Sequence, residues 1–399
     1  MGTLRVNVHL VTPENLVELV KICPFNALED NAGKLEINAG CKMCKICVKR
    51  GPNGVMEFIE DEVKVGIDKS LWKGIAVYVD HVEAVIHPVT LELLGKAKEL
   101  AAKVNFPVYA LFLGHGIAGE AKELLHHGAD KVFVYDEEEL KDFRIEPYAA
   151  AFEDFIRTVK PSSILVGATT IGRSLAPRIA ARFRTGLTAD CTVLDIKENS
   201  DLVQIRPAFG GNIMAQIKTP NTRPQMATVR YKVMNALPRS EEANGEIVLC
   251  DIDKSKLLSN IEVLSVRMKE KEENISDAET IIAIGRGVKN EKDLVMIREL
   301  ADLLGAQIAG TRPMVESGWV DAKKQIGLSG RTVKPRLIIT LGVSGSVQFA
   351  AGMSGSDYIF AVNNDEKASI FNVAHYGIVG DLYEVLPELI ERIKIAKEA

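Results

Sequence analysis

The spacing of apolar positions divides the chain. Short alternating runs at 5–11, 55–59 and 62–66 predict strands, and Leu16, Val17, Leu19, Val20 and Ile22 share the spacing of one helical face. From about residue 74 the rhythm changes. Continuous apolar runs at 75–79, 107–112, 131–134 and 163–167 alternate with helix-periodic stretches at 91–104, 119–127 and 148–159. A strand buried on both faces reads as an unbroken apolar run, and such βα alternation builds a parallel sheet covered by helices. The pattern loosens into short β-rich runs between 188 and 231, and the charged stretch 267–273 reads as a linker. Alternation restarts with a strand at 280–284 and a helix at 291–304. A strand at 337–341 and a helix from about 347 continue it to about 386, and a charged helical tail follows over 390–399. The expected fold class is α/β: a small α+β module at 1–68, two doubly wound parallel-sheet (Rossmann-like) domains at 72–266 and 274–392, and a tail at 393–399.

Composition narrows the function. The 399 residues carry 47% hydrophobic and 26% charged side chains, enough apolar material for a full core. Lys plus Arg number 49 against 54 Asp plus Glu, a net −5 without the basic surplus of a nucleic-acid binder. No apolar run reaches the ~18 residues of a membrane span, and the first residues lack a basic-then-apolar signal. Val6 stands where a myristoylation signal wants Ser or Thr. A cytoplasmic protein with neither membrane nor nucleic-acid partner is expected. A Ser-His-Asp set, H-E-x-x-H and a P-loop are all missing, which leaves hydrolase and NTPase readings unsupported.

The cysteines are not scattered. Cys41, Cys44 and Cys47 form C-x2-C-x2-C, preceded by Cys23-Pro24, while Cys191 and Cys250 are isolated. Structural zinc favours two separated pairs, whereas three close cysteines plus a remote Cys-Pro match the ligands of a [4Fe–4S] cluster. Zinc and plain reduced thiols are the alternatives. Two-cluster bacterial ferredoxins carry C-x2-C-x2-C-x3-C-P twice, each last Cys serving the other run's cluster. Aligned so, the missing cysteines fall at Pro13, Leu16, Leu19 and Gly51, the four ligands of one cluster, and the four that remain belong to the other. The module resembles a two-cluster ferredoxin fold that has lost one site, with the Leu16–Leu19 stretch as a helical plug.

The last domain carries glycine turns that feed helices. The strand at 280–284 runs into Gly285-Arg286-Gly287, and that at 337–341 into Gly342-Val343-Ser344-Gly345-Ser346. Such turns let a pyrophosphate approach backbone N–H groups. Between them lie Thr311-Arg312-Pro313 and Gln325-Ile326-Gly327-Leu328-Ser329-Gly330-Arg331. Each alone is an ordinary βα turn; together they indicate a dinucleotide site.

These loops, with Gln348, Asn363 and Tyr376-Gly-Ile-Val-x-Asp381, resemble the FAD-binding domain of electron transfer flavoprotein alpha subunits. Gly186-Leu-Thr-Ala-Asp-Cys-Thr192, Arg206-Pro-Ala-Phe-Gly-Gly-Asn212 and Arg223-Pro-x-Met226 are similar to motifs of the family's first domain, so the resemblance covers about 72–390. It implies Arg286 against the FAD pyrophosphate or ribose, and Arg312 near flavin N5, where a cation favours the anionic reduced ring. It implies Ser329 and Gln348 as hydrogen-bonding partners of the isoalloxazine. Thr311, Gln325, Gly327, Gly330, Gly342, Ser344, Gly345 and Ser346 would supply further donors and close approach, and Asn363 and Asp381 would hold the adenosine. Phe349 replaces a frequent His, which removes a donor at the pyrimidine end, and His375 stands where many relatives have Asp.

A cluster-bearing extension resembles alpha subunits of anaerobes that work in flavin-based electron bifurcation. The implied partners are a beta subunit whose FAD oxidises NADH, ferredoxin, and an acyl-CoA dehydrogenase-like or lactate dehydrogenase subunit. The chain is expected to be inactive alone, a carrier with FAD and one [4Fe–4S] cluster. A non-bifurcating carrier whose extension only docks a partner is the alternative, and a scaffold without cofactors is the remaining rival. Lys42, Lys45, Lys49 and Arg50 near the cysteines read as solubilising charges or as steering for an acidic partner. Cys191 is expected as a packed core thiol, His126-His127 as a surface pair, and Trp72 as a packing anchor for the N-terminal module.

Overall fold

The computed structural model describes residues 2–38, 40–60, 67–208, 213–267 and 274–398. The expected strand at 62–66, most of the linker at 267–273 and the 209–212 part of the middle motif lie outside these. The chain divides into two compact units, Met1–Ile67 and Asp68–Ala399.

In the first unit, strand Gly2–Val6 pairs antiparallel with Met56–Glu60, and Leu28–Asn31 with Lys34–Ile37. The expected strand at 5–11 ends at Val6, because its partner ends at Met56 and the chain turns through Val8–Leu10. Helix Pro13–Ile22 starts with a capping box between Thr12 and Asn15 and has Pro13 in its first turn, where a missing N–H costs nothing. It buries Leu16 and Leu19 against Leu4, Leu28, Leu35, Val55 and Met56.

The second unit holds two parallel sheets. The first has seven strands, in spatial order Leu187–Cys191, Gln225–Val229, Ser163–Gly167, Ile75–Tyr78, Val108–Gly114, Lys131–Asp136 and Glu246–Leu249. Its last strand pairs Glu246 with Lys131. Ile75 and Val77 face a core under helix Pro88–Val104, while Ala76 and Tyr78 face the core shared by helices Ile145–Val159 and Thr170–Arg182. Burial on both faces is why these strands read as continuous apolar runs. The loosened middle segment forms an antiparallel sheet of Val193–Ile196, Leu202–Ala208 and Ile213–Ile217.

One expectation fails here. His126 and His127 are buried, not a surface pair, because residues 237–240 fold over them: Nδ1 of His126 meets Ser240 O at 2.7 Å and that of His127 meets Leu237 O at 3.3 Å. Trp72 packs half-buried into the core shared by helices Ile145–Val159 and Thr170–Arg182. Cys191 is a fully buried core thiol, as its apolar setting predicts.

The second sheet is parallel in the order Gln307–Gly310, Thr280–Ile284, Leu337–Leu341, Tyr358–Asn363 and Tyr376–Val379. Helix Leu294–Leu304 ends on Gly305 in the left-handed region (φ 60°). The last helix runs unbroken over Leu382–Glu398 and buries Leu386 and Ile390, so the expected tail continues a packed element. Among the described residues no helix is long and apolar enough to cross a membrane.

Candidate functional site

In the first unit, Cys23 caps the end of helix Pro13–Ile22, where Pro24 stops it, and its sulfur accepts a hydrogen bond from the Ala27 N–H at 3.3 Å. The three-cysteine loop turns through Met43 (φ 51°) and Lys45 (φ 61°) and enters helix Ile46–Arg50. Cys23, Cys41, Cys44 and Cys47 line one small pocket of about 10 Å³, with Leu4, Pro24, Phe25, Ala27, Leu28 and Ile46 among its walls. None of the six cysteines is in a disulfide. Burial pushes the Cys47 thiol up, and the Cys44 and Cys41 thiols add to this. Among the described residues no three His, Cys, Asp or Glu side chains converge as a site for a metal ion. Leu19 and Gly51, two positions where the ferredoxin pattern would place cysteines, meet in this unit. A Cβ on Gly51 would lie 2.7 Å from Leu19 Cδ2 and 2.4 Å from Cys47 O, so the leucine fills the room a side chain at 51 would need.

In the second sheet, all strands run parallel, so the loops after them share one edge. The chain reverses its order between Thr280–Ile284 and Leu337–Leu341, the crevice where open α/β sheets bind ligands. The two glycine turns meet there. Gly287 N donates to Gly342 O at 2.9 Å, a Cβ on Gly285 would sit 2.5 Å from that oxygen, and Gly342 is left-handed (φ 61°). Gly345 (φ 79°) rests on Ile370, whose N–H donates to Ser344 O at 3.0 Å. Arg286, Ser344 and Ser346 are exposed on this edge, and Ser346 caps the Val347–Ala350 turn through Phe349 N. Thr311 follows Gly310 and donates its N–H to Ile284 O at 3.0 Å.

Arg312 is exposed and paired with Glu316 at 2.8 Å. Gln325 donates to the Ser329 hydroxyl at 2.8 Å, and Leu328 N donates to Gln348 O at 3.0 Å, which puts Gln325, Gly327, Ser329, Gly330 and Gln348 in one tight turn. Asn363 is spent within the fold: Nδ2 donates to Val343 O at 2.8 Å and Oδ1 accepts from Asp365 N. Asp381 accepts from Tyr383 N at 2.9 Å and lies 3.8 Å from Lys289. Phe349 is buried beside Ile326 and Met353, and His375 Nδ1 accepts from Ile359 N.

A third cluster escaped the sequence. The first sheet changes direction between Ile75–Tyr78 and Ser163–Gly167, and a cleft of about 560 Å³ opens there, lined by Asp80, Thr169, Arg173, Arg230, Ser329 and Arg331 among others. Thr169 hydrogen-bonds the buried Asp80, whose carboxyl is pushed up by burial. Asp190 pairs with Arg173 at 3.0 Å and Arg230 at 2.8 Å. Burial acts to raise its carboxyl, but the guanidiniums of Arg230, Arg173 and Arg206 outweigh it and hold the group below the usual range. Asp190 lies in the 186–192 stretch, where spacing alone assigns it no partner, and Arg230 carries no local sequence signal.

Residues 75–255 match the electron transfer flavoprotein domain, and residues 274–354 the electron transfer flavoprotein FAD-binding domain. The lactate dehydrogenase (NAD(+),ferredoxin) subunit LctC of Acetobacterium woodii is 63% identical over 99% of this chain and 94% of its own length. The electron transfer flavoprotein subunit alpha of Thermoanaerobacterium thermosaccharolyticum is 44% identical over 82% of this chain and 99% of its own length. The acryloyl-CoA reductase electron transfer subunit beta of Anaerotignum propionicum is 38% identical over 83% of this chain and 98% of its own length. This chain belongs to the electron transfer flavoprotein alpha-subunit family and carries its FAD-binding domain.

Proposed function

We propose that this chain is the FAD- and [4Fe–4S]-carrying alpha subunit of a complex joining NAD, ferredoxin and a lactate dehydrogenase subunit. The observation that carries the reading is the 63% identity to LctC over 99% of the chain, against an alpha-subunit relative that matches over 82% while itself almost wholly covered. The 38% identity to the acryloyl-CoA reductase subunit supports an acyl-CoA partner less.

The glycine edge suits FAD, because the turns pack so closely that a Cβ at Gly285, Gly287, Gly342 or Gly345 would meet backbone within 2.5 Å, and Arg286, Ser344 and Ser346 are left exposed at the sheet's switch point. Arg286 and the donors at Thr311, Ser344 and Ser346 would hold the phosphates and ribose. Arg312, Gln325, Ser329 and Gln348 would orient the ring, with Gly327 and Gly330 shaping their turn and Asn363 and Asp381 fixing the loops at the adenosine end. FAD supplies one- and two-electron exchange. Four thiols around one apolar-walled pocket suit a cube, which holds its ligands further apart than a single ion does, and the N–H to Cys23 sulfur is the kind of contact that tunes such a cluster.

The reading divides the two electrons of NADH, oxidised on a beta subunit, between ferredoxin and the dehydrogenase subunit, the second through this chain. The reverse route would draw on lactate and reduced ferredoxin to reduce NAD+. The test is oxygen-free purification with the beta and dehydrogenase subunits. We expect about four irons per chain, lost in Cys44→Ser, and lactate-dependent NAD+ reduction that requires reduced ferredoxin. NAD+ reduction indifferent to ferredoxin would overturn the coupling, and FAD without iron would leave an alpha subunit with a cluster-free extension.

A further inference from the structure

The turn 325–331 is fixed on its own side by backbone. Ile326 N donates to Gly310 O, Leu328 N to Gln348 O and Arg331 N to Gln325 O, and a Cβ on Gly330 would lie 2.3 Å from Gln325 O. One group of the turn looks elsewhere. The Leu328 carbonyl, next to Ser329, accepts a hydrogen bond at 3.0 Å from Nη1 of Arg230, which directly follows strand Gln225–Val229 of the other sheet.

Arg230 is held as firmly as what it holds. Its Nη2 donates to Asp190 at 2.8 Å, and Asp190 is gripped from the opposite side by Arg173. Asp190 sits in the left-handed region (φ 56°), and its N–H donates to the Thr228 hydroxyl at 3.0 Å. A planar guanidinium reaches two acceptors in fixed directions at once, which a lysine ammonium on a flexible stem does not. Asp190 is shared with Arg173, so the guanidinium brings both direction and positive charge to the Leu328 carbonyl.

Resting on the FAD reading above, we infer that Arg230 is a positioning residue for the flavin ring. By fixing the Leu328 carbonyl it sets the Ser329 hydroxyl, and with it the Gln325 amide that donates to that hydroxyl. No electron or proton passes through Arg230. Removing it frees the turn on one side and lets the donors at the ring drift.

The test uses the full chain co-purified with its beta subunit. Loss of a hydrogen bond to a charged group is expected to speed FAD release on the order of tenfold. In Arg230→Met the visible circular dichroism of the bound flavin and its midpoint potential should shift, with far-ultraviolet dichroism unchanged. Arg230→Lys keeps a cation against Asp190 but not the fork, so it should preserve folding and still show the flavin changes; it decides the matter if the Met variant fails to fold. Asp190→Asn, which leaves the guanidinium but loosens it, should fall between. Wild-type release, dichroism and potential in Arg230→Lys would overturn the inference. A wild-type protein that retains no FAD would instead sink the functional reading.

Discussion

The two parallel sheets of Asp68–Ala399 are built on the same rule and finished differently. Around the seven-stranded sheet, loops are secured by charged side chains: Asp80 with Thr169, Asp190 between Arg173 and Arg230, Glu92 on the Lys232 N–H, and Asp201 between Lys69 and the buried Arg223. Along the five-stranded sheet, the glycine turns are secured mainly by backbone on backbone, with neutral side chains such as Asn363 and Gln325 helping and Arg286, Ser344 and Ser346 left at the rim. A surface meant to receive an extended ligand needs polar side chains left at its rim; one that must only stay in place can spend its side chains on itself.

The sharpest way to break this contrast is Asp201→Ala. It leaves Arg223 buried without its carboxylate at 2.8 Å and should cost about 3–5 kcal/mol in denaturant unfolding, with no direct effect on flavin retention. Gly345→Ala tests the other side. Its backbone is left-handed and a Cβ would lie 2.2 Å from Ile370 N, so about 2–4 kcal/mol and most of the bound flavin should be lost.

Glu92 gives a pH test. Burial raises its carboxyl to about 7 against the backbone hydrogen bonds that lower it. A raised acid binds its proton more readily in the folded state, so stability is greatest below the ordinary carboxylate range and falls as pH rises toward about 7. The loss should be about 1–3 kcal/mol, and Glu92→Gln should flatten the profile. The smallest effect belongs to the rim: Glu316→Ala removes an exposed pair with Arg312 and should change stability by less than about 0.5 kcal/mol. A large loss there would mean that the second sheet also depends on side-chain pairs.

How much was legible follows the same division. Strands buried on both faces, glycine turns and cysteine spacing are local patterns, and the βα alternation, the turns at 285–287 and 342–346 and the helix carrying Leu16 and Leu19 stood in the sequence. What escaped is made by distant partners. Arg230 meets Leu328 across 98 positions and His126 meets Ser240 across 114, and neither periodicity nor motif encodes such a pair. The Leu19–Gly51 contact was half legible, since spacing set both positions where the ferredoxin pattern would place cysteines, but not that one fills the other's room.

The register Glu246 against Lys131 has a consequence for the nascent chain. At roughly 5–20 residues per second of synthesis, the strand at Lys131–Asp136 emerges on the order of ten seconds before the strand that covers it. Throughout that interval its outer row of N–H and C=O groups is an open template for any passing strand. The lysine that opens the strand discourages such pairing, and once Glu246 arrives the same lysine meets it at 2.7 Å. One residue therefore guards the edge during translation and fastens it afterwards.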